Sequence, residues 1–278
     1  MRTSSLLLSR LVLLKRRRTL FCRNALAEMN TAPLPATALS YFHDTYLFEA
    51  SARLLACLPA ADGRVAVVLD KTVLYPSGGG QPADAGSLQF AGGALLPVFD
   101  VTRTKEGVVH HVVEACDAAV GSNVTVRVDA ATRLLHARIH SAGHLLDVCM
   151  ARSGYPPETL PPTKGSHTPQ VMWVEYSGKV ADADGLVKKL NEALAAAVAA
   201  GGRVVAEGTQ PRVVTLLAGT EAASGCPCGG THVADVAEIR RVTVTGVRVK
   251  KGFTRVSYTV EGAPTAADAS LGAVQRAA

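Results

Sequence analysis

Aromatic residues are scarce in this 278-residue chain, at 5% with a single Trp, while apolar residues reach 48%. A sizeable core is therefore available, but Ala, Val and Leu must fill it rather than ring clusters. No stretch of 18 or more uninterrupted apolar residues occurs, so no membrane span is expected. Cys22, Cys57, Cys116 and Cys149 are too scattered for the disulfide framework of a short secreted domain. Net basicity is missing too. Residues 1–30 hold seven of the 29 Lys and Arg and one of the 23 Asp and Glu, which leaves 22 of each sign in the body. The overall charge of +6 thus belongs to the leader, and any phosphate contact by the body needs a local basic patch. The glycine run Gly78, Gly79, Gly80 is not followed by Lys-Ser/Thr, which excludes a P-loop. There is no internal repeat.

What is present falls into sections. The leader MRTSSLLLSRLVLLKRRRTLFCRNALAEM is rich in Arg, Ser and Leu with no acid before Glu28. That is the composition of a transit peptide, so residues 1–30 predict a mitochondrial location, whereas a start at Met29 predicts a cytoplasmic one. TAPLPATA (31–38) reads as a linker. Residues 39–130 read as short strands punctuated by Gly and Pro, at 64–69, 87–90, 96–102, 108–113 and 124–128, which suggests a small β-barrel. Within this span, 43–58 reads as an extended piece and a short helix. Near Asp129 the apolar spacing becomes helical up to about Ser153, and a second helix is expected over 184–200, stopped by Gly201-Gly202. Strands are expected at 171–176, 204–207, 213–217, 241–250 and 253–260. The fold class is therefore α+β, a barrel followed by an α+β domain over 131–261, with a flexible tail at 262–278.

Two separated clusters carry chemistry. His140 and His144, at i and i+4 of a helix, share one face. Far downstream stands Cys226-Pro-Cys228-Gly229-Gly230-Thr231-His232. Two imidazoles on a helix and a thiolate and imidazole from a glycine loop make a tetrahedral zinc set of His140, His144, Cys228 and His232. Cys226 is a rival for the sulfur position. Ser141, Ala142 and Gly143 between the histidines leave no Glu, which excludes the H-E-x-x-H protease helix. His43, His110, His111, His136 and His167 read as surface or packed residues.

HSAGHLL (140–146) followed by CGGTHV (228–233) resembles the editing domain of alanyl-tRNA synthetase and the freestanding AlaX alanyl-tRNA editing proteins. YPSGGGQPADAG (75–86), Val128-Asp129 with Arg133, Lys164-Gly165-Ser166, and Lys250-Lys251-Gly252 with Arg255 continue the likeness in the family's order, over roughly 40–260. The chain departs from the pattern at Gly143, where the family commonly has Thr or Glu. The resemblance to the medium-length class implies a monomeric, zinc-dependent ester hydrolase acting on tRNA(Ala) charged with the wrong amino acid, serine and in some members glycine. A pocket for alanine excludes glycine and serine poorly, so a second hydrolytic site is the usual remedy. On this reading the backbone amides of Gly229, Gly230 and Thr231 contact the oxyanion, and the zinc positions substrate more than it activates water, since four protein ligands close its shell. Gly78, Gly79, Gly80, Gln81, Ser141, Lys164, Gly165 and Ser166 are assigned to substrate. Ser141, Thr231 or a group of the Gly78–Gln81 loop is assigned to the serine hydroxyl. Lys164, Lys250, Lys251 and Arg255 are candidate phosphate contacts. Two alternatives stand beside this reading: editing of Ser-tRNA(Thr), and a non-catalytic zinc-stabilised tRNA-binding protein.

Overall fold

The computed structural model describes residues 33–93 and 95–264. The leader and the tail beyond residue 264 lie outside the described residues.

The first half contributes β1 (Ala38–Leu39), β2 (Glu49–Pro59), β3 (Val65–Leu69), β4 (Lys71–Thr72), β5 (Gly86–Phe90), β6 (Leu95–Val98), β7 (Asp100–Arg103), β8 (Val109–Val113) and β9 (Asn123–Val128). Seven of these form one antiparallel sheet in the order β6-β5-β9-β2-β3-β8-β7. The sheet curls until β6 lies against β8, a nearly closed barrel. Alternation fills it: Leu54, Val67, Leu69, Leu88, Val101, Val109, Val113, Val124 and Val126 point inward and are buried. Residues 49–59 form the long strand β2 in place of the expected short helix. Ala and Leu favour helix, but pairing to both β3 and β9, with a bulge between Leu54 and Ala56, overrides that preference. The expected strand 96–102 is divided at Phe99 into β6 and β7.

The second half contributes α1 (Ala130–Arg152), β10 (Pro162–Thr168), β11 (Val171–Ser177), α2 (Ala183–Ala200), β12 (Val204–Glu207), β13 (Val213–Leu216), β14 (Ser224–Pro227), β15 (Val242–Lys250) and β16 (Phe253–Val260). Both helices begin at an Asp cap: Asp129 accepts from the Thr132 amide at 2.7 Å, and Asp182 from that of Gly185 at 2.8 Å. The antiparallel sheet β10-β11-β16-β15 covers α1 and α2, and a second apolar cluster fills the space between, from Ile139 and Leu145 to Val256 and Tyr258. A small sheet, β12-β13-β14, carries the cysteine loop. No helix among the described residues is long and apolar enough to cross a membrane.

One buried ion pair ties the halves together. Arg133 on α1 and Asp84, which follows the glycine loop, are both fully buried, with Arg133 Nε donating to Asp84 Oδ2 at 2.9 Å. The same guanidinium donates to the carbonyls of Thr45 and Val73, so its hydrogens are used within the barrel wall.

Candidate metal centre and active site

Helix α1 presents His140 and His144 to one face, and the loop leaving β14 presents Cys228 and His232 to the same point. The donor atoms of these four residues all lie within 4.8 Å of one another. Cys228 Sγ stands 3.6 Å from His140 Nε2 and 3.3 Å from His232 Nε2. Ligands at zinc-like bond lengths span tetrahedral edges of roughly 3.3–3.6 Å, so the spacing suits one metal ion.

The hydrogen-bond network sets His140 and His232 up for that task. Gln81 Oε1 accepts from the Thr231 amide at 3.1 Å, which fixes the side-chain orientation, and Gln81 Nε2 donates to Thr231 Oγ1 at 2.9 Å. The same oxygen lies 2.7 Å from His140 Nδ1. A carbonyl oxygen only accepts, so Nδ1 carries the proton and the Nε2 lone pair faces Cys228. Ser141 Oγ stands 3.1 Å from His232 Nδ1 and leaves His232 Nε2 facing the same centre. Burial holds His140 and His232 well below the usual histidine range and His144 at about 4, so all three are neutral at pH 7, the form a metal needs. Burial raises the Cys228 thiol, while the Gly230 amide donating to its sulfur at 3.3 Å favours the thiolate. Arg212 holds the loop by donating to the Cys228 and Gly230 carbonyls, each at 2.9 Å. Cys226 belongs elsewhere: its sulfur lies 3.1 Å from His144 Nδ1 and it is no part of the four-residue cluster.

Beside this centre opens a cavity of about 770 Å³, lined by Gly78, Gly79, Gly80, His140, His144, Asp147, Lys164, Gly165, His167, Trp173, Cys228, Gly229 and Gly230. The glycine loop and β10 come together because Gly80, at φ +80°, has no side chain, and a Cβ there would strike the Gly165 carbonyl. The His167 amide then donates to the Gly80 carbonyl at 2.8 Å.

Several residues assigned to substrate occupy other places. Gln81 is buried and serves His140 and Thr231. Ser141 is fully buried and joins His232 to the Val233 amide, and Ser166 Oγ donates to the Val171 carbonyl at 2.6 Å. None of the three lines the cavity. Each is instead committed to a protein partner within reach of its hydroxyl or amide. Thr231 is likewise buried, its amide donating to Gln81, and the Gly230 amide donates to sulfur. Of the three amides assigned to the oxyanion, only that of Gly229 is uncommitted and borders the cavity.

Several lining residues carry no motif signal, and two of them bear on the chemistry. His167 stacks on His140 with centroids 4.6 Å apart. Tyr258 donates its proton to the Ile139 carbonyl at 3.1 Å, so its oxygen accepts from His167 Nδ1 at 2.7 Å, which leaves His167 Nε2 as an acceptor. Gly165 keeps the space before that nitrogen open, since a Cβ would stand 2.5 Å from it. Asp147, one turn beyond His144, is the other; only its place on the ligand face of a 3.6-residue period hints at it.

The cavity opens onto the outer face of the four-stranded sheet. Lys164, Glu175, Arg255 and Arg248 fall in one row across β10, β11, β16 and β15. Arg255 lies 3.9 Å over the Trp173 ring and pairs with Glu175 at 2.8 Å.

Comparison with known proteins agrees with this geometry. Residues 52–132 match the family model for class II tRNA synthetases (A). The alanyl-tRNA editing protein AlaX-M of Pyrococcus horikoshii is 30% identical over 211 residues, covering 73% of this chain and 87% of that protein. The alanine–tRNA ligases of Caldivirga maquilingensis and Pyrobaculum neutrophilum are 41% and 43% identical over 113 and 115 residues, but the chain spans only 12% of the length of each. The chain therefore belongs to the AlaX-type family of alanyl-tRNA editing proteins.

Proposed function

We propose that the protein is a zinc-dependent hydrolase that removes serine, and glycine, from wrongly charged tRNA(Ala). The observation that carries this reading is the convergence of three neutral imidazoles and one cysteine, from two distant stretches of chain, on the wall of a cavity roofed by glycines. Zinc held by His140, His144, Cys228 and His232 would supply a Lewis acid beside the ester. The chain's own groups do the rest. Gly78, Gly79 and Gly80 leave room for a ribose and its ester to approach the backbone. The Gly229 amide is placed to donate to the developing oxyanion. His167 Nε2 accepts from the serine hydroxyl, a contact that alanine cannot make, and burial holds this imidazole at about 3, so that it stays an acceptor at pH 7. Trp173, Lys164, Arg255 and Arg248 form the stacking and phosphate-binding track for the acceptor end of the tRNA.

The test is deacylation of Ser-, Gly- and Ala-charged tRNA(Ala) by the chain from Met29, with and without a chelator, alongside Ser-tRNA(Thr). Turnover of Ser-tRNA(Ala) that the chelator abolishes supports the reading. Turnover of Ser-tRNA(Thr) alone, or binding without turnover, replaces it. For the leader we propose mitochondrial delivery, checked by fusing residues 1–30 to a fluorescent reporter; a diffuse cytosolic signal refutes it.

A further inference from the structure

Asp147 has no role in the chemistry described so far, and its setting asks for one. It stands on the cavity wall, on the helix face that carries His140 and His144, about 4.5 Å of helix rise beyond His144. Tyr176, itself buried, donates to Asp147 Oδ1 at 2.7 Å and fixes the carboxylate plane. No Lys, Arg or His pairs with this acid among the described residues. Its second oxygen has no protein hydrogen-bond partner there and is not sealed off. A second cavity, lined by Arg152, Tyr155, Leu160, Tyr176 and Glu221, meets the first along His144, Asp147, Pro162 and Cys226, so this oxygen faces the passage between the two. A carboxylate held rigidly in a largely desolvated wall without a cation is costly unless a ligand supplies one.

An aminoacyl ester has such a cation. Its α-ammonium is two bonds from the carbonyl carbon that must sit beside the His140, His144, Cys228, His232 centre. We infer that Asp147 is the acceptor for the α-ammonium group of the amino acid being removed, with Tyr176 as the residue that orients it. The assignment rests on the proposed hydrolysis of aminoacyl esters. It makes the free amine, which every aminoacyl-tRNA has and a peptidyl ester lacks, a requirement for productive binding.

The experiment compares Ser-tRNA(Ala) with N-acetyl-Ser-tRNA(Ala) on the wild type and on Asp147→Asn. The wild type should prefer the free amine by about tenfold or more in kcat/KM, the size expected for a charged hydrogen bond. Asp147→Asn should lose most of its rate on the free-amine ester and little on the acetylated one, so that the preference collapses. Equal losses on both esters, or an unchanged preference, overturn the inference. Asp147→Glu should restore part of the preference, and Tyr176→Phe, which keeps the acid but not its orientation, should reduce it without abolishing it. Binding gives a second readout. The affinity of the non-hydrolysable 3′-(L-seryl)amino-3′-deoxyadenosine should exceed that of its α-hydroxy counterpart on the wild type but not on Asp147→Asn. If the wild type hydrolyses neither ester, the proposed reaction fails, while the two analogues still decide whether Asp147 reads an ammonium.

Discussion

At the scale of single residues, the site is governed by side chains that touch the ligands rather than by the ligands alone. Gln81 holds the Nδ1 proton of His140 and the Thr231 amide, both out of solvent. Gln81→Ala leaves the amide unpaired, which costs about 1–3 kcal/mol in stability. It also frees the His140 ring, for which metal affinity should fall roughly 10–100-fold, measured by competition with a chelator. Cys228→Ala should remove bound metal, and Cys226→Ala should retain it. Asp147 gives a pH signature. Burial raises its carboxyl to about 7 from an ordinary value of 3.8, so above pH 4 the unfolded chain ionises while the folded one resists. Folding therefore loses stability as pH rises from about 4 to 7 and is level beyond. Asp147→Asn should melt with the wild type at pH 4 and above it at pH 8; equal melting at pH 8 contradicts the burial described here.

At the scale of elements, Gly143 shows how two segments share one space. A Cβ at this position of α1 would strike the His167 ring on β10, so the glycine is set by its neighbour rather than by helix propensity. Gly143→Thr should destabilise and distort the metal centre, and adding His167→Gly should recover folding, as followed by thermal melting. Recovery without serine selectivity would separate the packing role of His167 from its role as acceptor. The outer sheet makes a different prediction. Lys164→Ala and Arg255→Ala should each raise KM with little change in kcat and lower the salt slope of tRNA binding by about one. Much of this architecture is legible in the sequence. The periodicity from 130 to 152, the β-branched runs of β3 and β8, the alternation in β9, β15 and β16, and the two halves of the metal cluster all stand out. β10 and β14 do not, because PTKGSHT and SGCP lack alternation and become strands only through their partners. Asp147 and His167 are hidden for a related reason: nothing local distinguishes a buried acid or histidine on a cavity wall from one in a core.

At the scale of the whole molecule, the barrel and the second half are joined through a buried ion pair that cannot lose one partner alone. Asp84→Ala would strand Arg133 in a dry wall, a loss of about 3–5 kcal/mol in unfolding free energy by denaturant titration. Removal of the proposed metal would act on the same scale, since it would leave three buried imidazoles and a thiol without their shared partner. Burial keeps these histidines below their ordinary value of 6.5, and His144, held at about 4, lends stability that is present above pH 6.5 and lost as pH falls through 4. The metal-free protein should accordingly unfold on mild acidification before the loaded one does.

The order in which the chain leaves the ribosome gives this design a timing. Gln81 emerges first, the paired histidines some sixty positions later, and Cys228 and His232 more than eighty positions after those. On the proposed function, no nascent fragment that stops short of residue 232 would hold the full set of four metal-binding side chains or hydrolyse an ester beside them. Such a fragment would then leave untouched the charged tRNAs that crowd the ribosome during its own synthesis.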